Sequence, residues 1–163
     1  RQWFDFIYVA TGEPHKNHRN LVEAWKLLAK DGLSPSLCLT LDHEKDRCLL
    51  TWVELQARAD HLLIENIGLI SRQEIERLYL ESGALIYPSS LESFGLPLLE
   101  AAAAGLPILA SELDYVRDVS VPVQTFDPKS PVSIARAVRR FLKNPEPVGQ
   151  IRTAEEFLTE MLR

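Results

Sequence analysis

The stretch Ala84-Leu85-Ile86-Tyr87-Pro88-Ser89-Ser90-Leu91-Glu92-Ser93-Phe94-Gly95-Leu96-Pro97-Leu98-Leu99-Glu100 decides the fold. Its first four residues are continuously apolar rather than alternating, the mark of a strand buried on both faces of a sheet. Pro88 to Gly95 is a loop of serines and a glycine. Residues 96–104 read as a short helix, with Pro97 where an opening turn tolerates proline and Gly105 where the helix ends in a left-handed residue. Strand, loop and helix in this order make one unit of a parallel sheet.

The same unit repeats on either side. Upstream, the apolar runs 6–9, 37–41 and 62–64 are followed by helical patterns at 21–29, 48–59 and 71–81, the last opened by a capping box of Ser71 and Glu74. Downstream, 108–110 precedes a short turn near Tyr115, and 121–123 precedes a helical pattern at 132–142. The expected fold is α/β, a doubly wound parallel sheet of about six strands, Rossmann-like, with an assumed strand order 3-2-1-4-5-6. It spans residues 1–143. Residues 144–163 are expected to form a connector, made rigid by Pro145 and Pro147, and a closing amphipathic helix from Ile151 to Leu162.

Composition narrows the function classes. The chain has 163 residues, 46% hydrophobic and 25% charged, which suits one globular domain and excludes a disordered chain. A net charge of −5 provides no global basic field, so nucleic acid is not an expected partner and any anionic ligand needs a local site. Cys38 and Cys48, ten residues apart with no CxxC, read as two reduced thiols. No apolar run approaches the ~20 residues that cross a bilayer, and the start lacks a secretory leader, so a cytoplasmic location is expected. The chain opens on Arg1 and enters an apolar run within a few residues, which suggests a piece of something longer.

With the assumed order, ligands belong in the crevice at the carboxyl ends of strands 1 and 4, where the winding reverses. After strand 1 comes Thr11-Gly12-Glu13-Pro14-His15-Lys16-Asn17-His18-Arg19, with four potentially cationic side chains in five residues. Lys16 is placed to neutralise a phosphate, and Gly12 to let backbone approach it. The bland alternative is a solvated loop leading into a helix capped by Asn17 or Asn20. His15 and His18, at i,i+3 with no third ligand, make a poor metal pair. After strand 4, the loop feeds a helix whose free amides near Phe94, Gly95 and Leu96 present the positive end of a dipole, a cradle for a diphosphate. Glu92 and Glu100 accompany it. Glu100, set among apolar neighbours, either complements the helix dipole or accepts hydrogen bonds from vicinal hydroxyls of a ribose.

The segment Glu92 to Glu100 reads E-x7-E, followed by Ala101 to Ser111, and resembles the signature of the group 1 family of retaining GT-B glycosyltransferases. The likeness is collinear. Tyr8-Val9 with Glu13 to Asn17 resembles the family's first strand and phosphate loop, Glu65-Asn66-Ile67-Gly68 its third strand, Ala84 to Ser89 its fourth, and Phe126-Asp127-Pro128 the turn before the penultimate helix. The resemblance implies the donor-binding, C-terminal half of a GT-B architecture. It gives Glu92 and Lys16 catalytic roles, Glu92 at hydroxyls of the donor sugar and Lys16 on the diphosphate. Glu100 would hold the ribose, and Gly12, Ser93, Phe94, Gly95 and Leu96 would line the donor site, with Gly68, Leu69 and Ile70 bordering the base.

The implied donor is a nucleoside-diphosphate sugar, with no metal and no other cofactor. The acceptor, a glycan or lipid-linked glycan of a bacterial surface polysaccharide pathway, would be held by an N-terminal domain outside this chain. Peripheral membrane association of the longer enzyme is compatible with that picture, and this chain by itself would transfer little or nothing. Two positions depart from the family pattern. Thr11 stands where a basic residue, usually Arg, often pairs with the Lys, leaving His15, Arg19 or Arg72 to compensate, and Ser93 stands where Gly is common. The competing expectation is a non-catalytic relative, keeping the fold as an interaction or regulatory module.

Overall fold

Residues Phe6, Ile7 and Tyr8 are all fully buried. Successive strand side chains point to opposite faces, so this strand is covered on both. The computed structural model describes residues 3–143 and shows why. Six parallel strands, β1 (Phe6–Tyr8), β2 (Leu37–Leu39), β3 (Ile64–Asn66), β4 (Ala84–Tyr87), β5 (Ile108–Ser111) and β6 (Gln124–Phe126), pair in the order β3-β2-β1-β4-β5-β6. This is the assumed order. Six helices connect or follow them: α1 (His18–Lys30), α2 (Arg47–Ala59), α3 (Arg72–Glu81), α4 (Leu96–Ala103), α5 (Asp114–Val119) and α6 (Pro131–Lys143). The connector and closing helix expected over 144–163 lie outside the described residues.

The core forms where helices press on the central strands. Phe6 packs edge-on against Trp25 of α1 and Phe141 of α6, with ring centroids 5.5 and 5.7 Å apart. The buried Trp25 indole donates to the Pro35 carbonyl at 2.9 Å, satisfying its one polar atom. Arg139 of α6 pairs with Asp31 just past α1, and Arg140 donates to Gln124 on β6, so two arginines of α6 tie it to its neighbours. Among the described residues, no helix is long and apolar enough to cross a membrane.

Two strands fall later in the chain than the apolar runs predict. Leu62 and Leu63 precede β3: the Leu62 amide donates to Ala57 to close α2, and the Leu63 carbonyl accepts from Leu37 as pairing begins. β3 is an edge strand and carries polar Glu65 and Asn66. Asn66 extends the ladder through its side chain, which accepts from the Leu41 amide and donates to the Leu41 carbonyl. At the other edge, Pro122 has no N–H to give a ladder. Pairing therefore starts with the Val123 amide on Ile108, and β6 runs from Gln124 rather than over 121–123. The capping box at Ser71 and Glu74 forms as expected, and Gly105 ends α4 at φ +71°.

Candidate functional site

The loop after β1 is pinned from several directions. It ends in a 3-10 turn over Pro14–Lys16, then Asn17 in the left-handed region at φ 66°. The Asn17 side chain caps no helix. Its amide donates to the Pro88 carbonyl at 3.0 Å and to the Pro128 carbonyl at 2.6 Å, while Asn20 also reaches Pro128. Three loops, after β1, β4 and β6, are thereby joined at one point. The His15 carbonyl accepts from the Ser90 amide and from the Ser89 and Ser90 hydroxyls. The Tyr8 hydroxyl donates to the Lys16 carbonyl at 2.8 Å.

Held in this way, Lys16 meets Glu92 of the β4 loop in a direct ion pair, their side chains only 15% and 11% exposed. Glu92 also accepts from the Ser89 hydroxyl at 2.9 Å and from Tyr87. Burial alone would raise its pKa, but hydrogen bonds from Lys16, Tyr87 and Ser89 outweigh that and hold the carboxyl below the ordinary carboxylate range. The Ser89 carbonyl in turn accepts from the Ser111 and Tyr115 hydroxyls at 2.9 and 2.7 Å. Tyr8, Tyr87 and Tyr115 stand in a row, edge to face, with centroids 5.4 and 6.4 Å apart. Each phenol reaches a loop from a ring set in the core or, for Tyr115, packed against it, and burial raises all three pKa values.

The β4 loop runs into α4 through Gly95, whose φ of 58° is a left-handed conformation that suits glycine. A Cβ there would also lie 3.0 Å from Leu98. Pro97 has no N–H and the Leu98 amide is bonded to the Gly95 carbonyl, so the amides of Phe94, Gly95 and Leu96 have no partner among the described residues. Ser93 and Leu96 are exposed, and Phe94 is 81% exposed. Glu100, one turn further along α4, is half-buried and accepts from the Tyr79 hydroxyl of α3 at 3.2 Å.

Gly12 has a neighbour that the sequence did not reveal. A Cβ on it would fall 2.4 Å from Asp46 Oδ1, so the group using the space at this glycine is a carboxylate of the β2–α2 loop. On the loop after β3, Gly68 adopts φ +75° and the His43 ring lies against it, with Leu69 exposed and Ile70 partly buried against the core.

Two of the three cations expected to compensate for Thr11 are engaged elsewhere. The Arg19 guanidinium lies over the Trp52 ring, 4.6 Å from its centroid, and Arg72 pairs with Glu76. The Thr11 hydroxyl itself donates to Glu13. His18, 3% exposed, stacks on Tyr8 with neither ring nitrogen partnered among the described residues, and burial drops its pKa to about 4. Cys38 is buried and Cys48 exposed, both free thiols.

Sequence reasoning therefore located Lys16, Glu92, the α4 amides and Glu100, which lie on the loops after β1 and β4 and on α4, and missed the groups that hold them. Tyr8 and Tyr87 read as ordinary strand positions, Tyr79 as part of a helical pattern and Tyr115 as part of a short turn. The available signal was that a phenol inside an apolar run needs an acceptor.

The sequence profile of the family described as glycosyl transferases group 1 matches residues 3–156. The O-antigen chain mannosyltransferase B of Escherichia coli is 31% identical over 115 residues, covering 69% of this chain and 30% of that protein. Glycogen synthase of Mycobacterium tuberculosis is 30% identical over 146 residues, 86% of this chain and 34% of that protein. The chain thus spans about a third of the length of these two relatives. In fold, it superimposes on the C-terminal domain of a glycosyl transferase group 1 family protein, LpcC, from Francisella tularensis. The TM-score is 0.75 at 21% identity, over 96% of this chain and 84% of that one. It also superimposes on Anabaena HepE in complex with UDP and glucose, with a TM-score of 0.73 at 15% identity, over 97% of this chain and 44% of that one.

Proposed function

The chain belongs to the group 1 glycosyl transferases, and from that premise we propose that it is the donor-binding domain of a retaining enzyme of the GT-B kind. It would bind a nucleoside-diphosphate sugar for transfer to a glycan or lipid-linked acceptor held by another domain. The observation that carries this reading is the ion pair of Lys16 and Glu92 between the loops after β1 and β4, where the sheet reverses its winding, on the same β4 loop that leads into the unpartnered amides at the start of α4. Open α/β sheets bind ligands at that place. Support for a nucleotide donor comes from the similar fold of HepE, which binds UDP.

In the proposed reaction, the diphosphate lies across the amides of Phe94, Gly95 and Leu96, with Lys16 supplying the charge that stabilises it as it departs. Glu92 turns toward hydroxyls of the donor sugar, and Glu100 accepts from the ribose. Gly68, Leu69 and Ile70, with His43 beside them, border the base. No residue of this set requires a metal for these roles. Transfer by this chain alone is expected to be negligible, because the acceptor would be bound elsewhere.

The experiment is to incubate the longer enzyme containing this chain with a panel of nucleoside-diphosphate sugars and to read the anomeric configuration of the product by proton NMR. A product that keeps the donor's configuration, formed by wild type and not by Lys16→Ala, is the expected result. An inverted product, or transfer indifferent to Lys16, would overturn the reading. Thr11 and its bond to Glu13 favour one second reading, a relative that binds nucleotide without transferring sugar. Nucleotide binding with no product from any donor would select it.

A further inference from the structure

Tyr79 sits in the last turn of α3 and is 2% exposed, yet its hydroxyl reaches across to α4 and donates to Glu100 Oε2 at 3.2 Å. This is the one side-chain hydrogen bond recorded for Glu100 among the described residues. We propose that Tyr79 is a positioning residue that sets the Glu100 carboxylate as a two-oxygen acceptor for a vicinal diol, so that this chain distinguishes ribose from deoxyribose. The proposal rests on the reading of Glu100 as the ribose-binding group.

The argument is one of hydrogen-bond capacity. An ionised carboxylate only accepts, with about four lone-pair sites on two oxygens. Glu100 is half-buried, so its side chain is neither sealed in the core nor free in solvent. Tyr79 occupies one site on Oε2. The sites left over, all of Oε1 and the remainder of Oε2, suit two adjacent hydroxyl donors. The phenol has little alternative. It is buried, burial and the facing Glu100 both raise its pKa, and so it remains a proton donor across the working pH range. Without that bond, the Glu100 side chain would be free to turn its three torsions, and part of its affinity for the diol would go to fixing it. Tyr87 and Ser89 make the parallel arrangement for Glu92, so each carboxylate of the motif has a buried hydroxyl behind it.

The test is calorimetric binding of UDP and GDP, each against its 2′,3′-dideoxy analogue, to wild type, Tyr79→Phe, Glu100→Ala and the double variant. Thermal unfolding checks that each is folded. Wild type is expected to prefer the ribonucleotide. Tyr79→Phe should weaken ribonucleotide binding about three- to tenfold and leave the dideoxy analogue within about twofold, so that the preference shrinks. Adding Tyr79→Phe to Glu100→Ala should change nothing further. Glu100→Asp, too short to reach the phenol and the diol together, should lose the preference even if the phenylalanine variant folds poorly. Equal weakening of both ligands by Tyr79→Phe, or no weakening of either, would overturn the positioning role. A wild type that binds neither these two diphosphates nor those of the other bases, or that binds ribo and dideoxy forms alike, would defeat the reading of Glu100 itself. That failure is visible in wild type alone.

Discussion

Lys16 Nζ, on the loop after β1, is bonded to Glu92 Oε1, on the loop after β4, across the crevice where the sheet reverses its winding. The cation and the carboxylate assigned to leaving group and sugar therefore satisfy each other when no ligand separates them. A diphosphate in the proposed site would compete with Glu92 for Lys16. The ion pair holds the lysine in place at the expense of ground-state affinity.

The pairing predicts opposite effects of its two members. Glu92→Gln releases Lys16 and removes a negative charge from the crevice, so a bare nucleoside diphosphate should bind a few-fold tighter. Lys16→Ala should weaken it at least tenfold, since a charge-assisted hydrogen bond is lost. Lys16→Ala should also lower stability by about 1–3 kcal/mol, because Glu92 is left mostly buried with only the neutral donors Ser89 and Tyr87. Isothermal calorimetry and urea unfolding read the two effects. Weaker diphosphate binding in Glu92→Gln would show that the pair does not compete with ligand.

A second prediction concerns pH. Burial holds His18 at a pKa of about 4, against 6.5 for a free imidazole. Between those values the unfolded chain takes a proton that the folded chain refuses. Stability is therefore complete above about pH 6.5 and falls as pH drops toward 4, by on the order of 3 kcal/mol. Glu92 adds its own loss only below the ordinary carboxylate range. His18→Phe keeps a ring against Tyr8 and removes the titration, so its unfolding free energy should be flatter between pH 6.5 and 4.5. Parallel curves for the two proteins would contradict this account.

The third prediction tests the contact at Gly12. A methyl group there collides with the Asp46 carboxylate, which already accepts from the Asp42 amide at 3.0 Å. Gly12→Ala should cost about 1–2 kcal/mol through forced displacement of the β2–α2 loop. Asp46→Ala should be less harmful in the Gly12→Ala background than in wild type, a coupling that thermal denaturation of the four proteins measures. Additive effects would mean that the two residues do not meet.

Much of this was legible in the sequence, for reasons that also mark where legibility ended. The central strands are apolar at every position because both faces are covered, so Phe6–Tyr8, Leu37–Leu39 and Ala84–Tyr87 announced themselves. The edge strands do not share that constraint. β3 is written in polar residues and β6 begins after a proline, and both were expected two or three positions early. At the site, charged and small residues in loops stood out against an apolar background, which brought Lys16, Glu92 and Glu100 to notice. That Lys16 reaches Glu92, 76 residues away, depends on β1 and β4 being neighbours. The tyrosines behind them were hidden because an aromatic residue in a strand or on a packed helix face satisfies the core pattern whatever its hydroxyl does. Asn17 takes the N-cap position of α1, yet its side chain makes no capping bond and instead joins three loops through two carbonyls.

The central claim, that this crevice is a nucleoside-diphosphate site with Lys16 as its cation, is tested most directly by comparing the affinity of nucleoside diphosphates with that of the same nucleosides. UDP, GDP, ADP, CDP and dTDP would each be titrated by calorimetry into wild type and Lys16→Ala. The account predicts that at least one diphosphate binds wild type ten or more times tighter than its nucleoside, and that this preference collapses in Lys16→Ala. A preference that survives the loss of Lys16, or the absence of binding by every diphosphate, would contradict it.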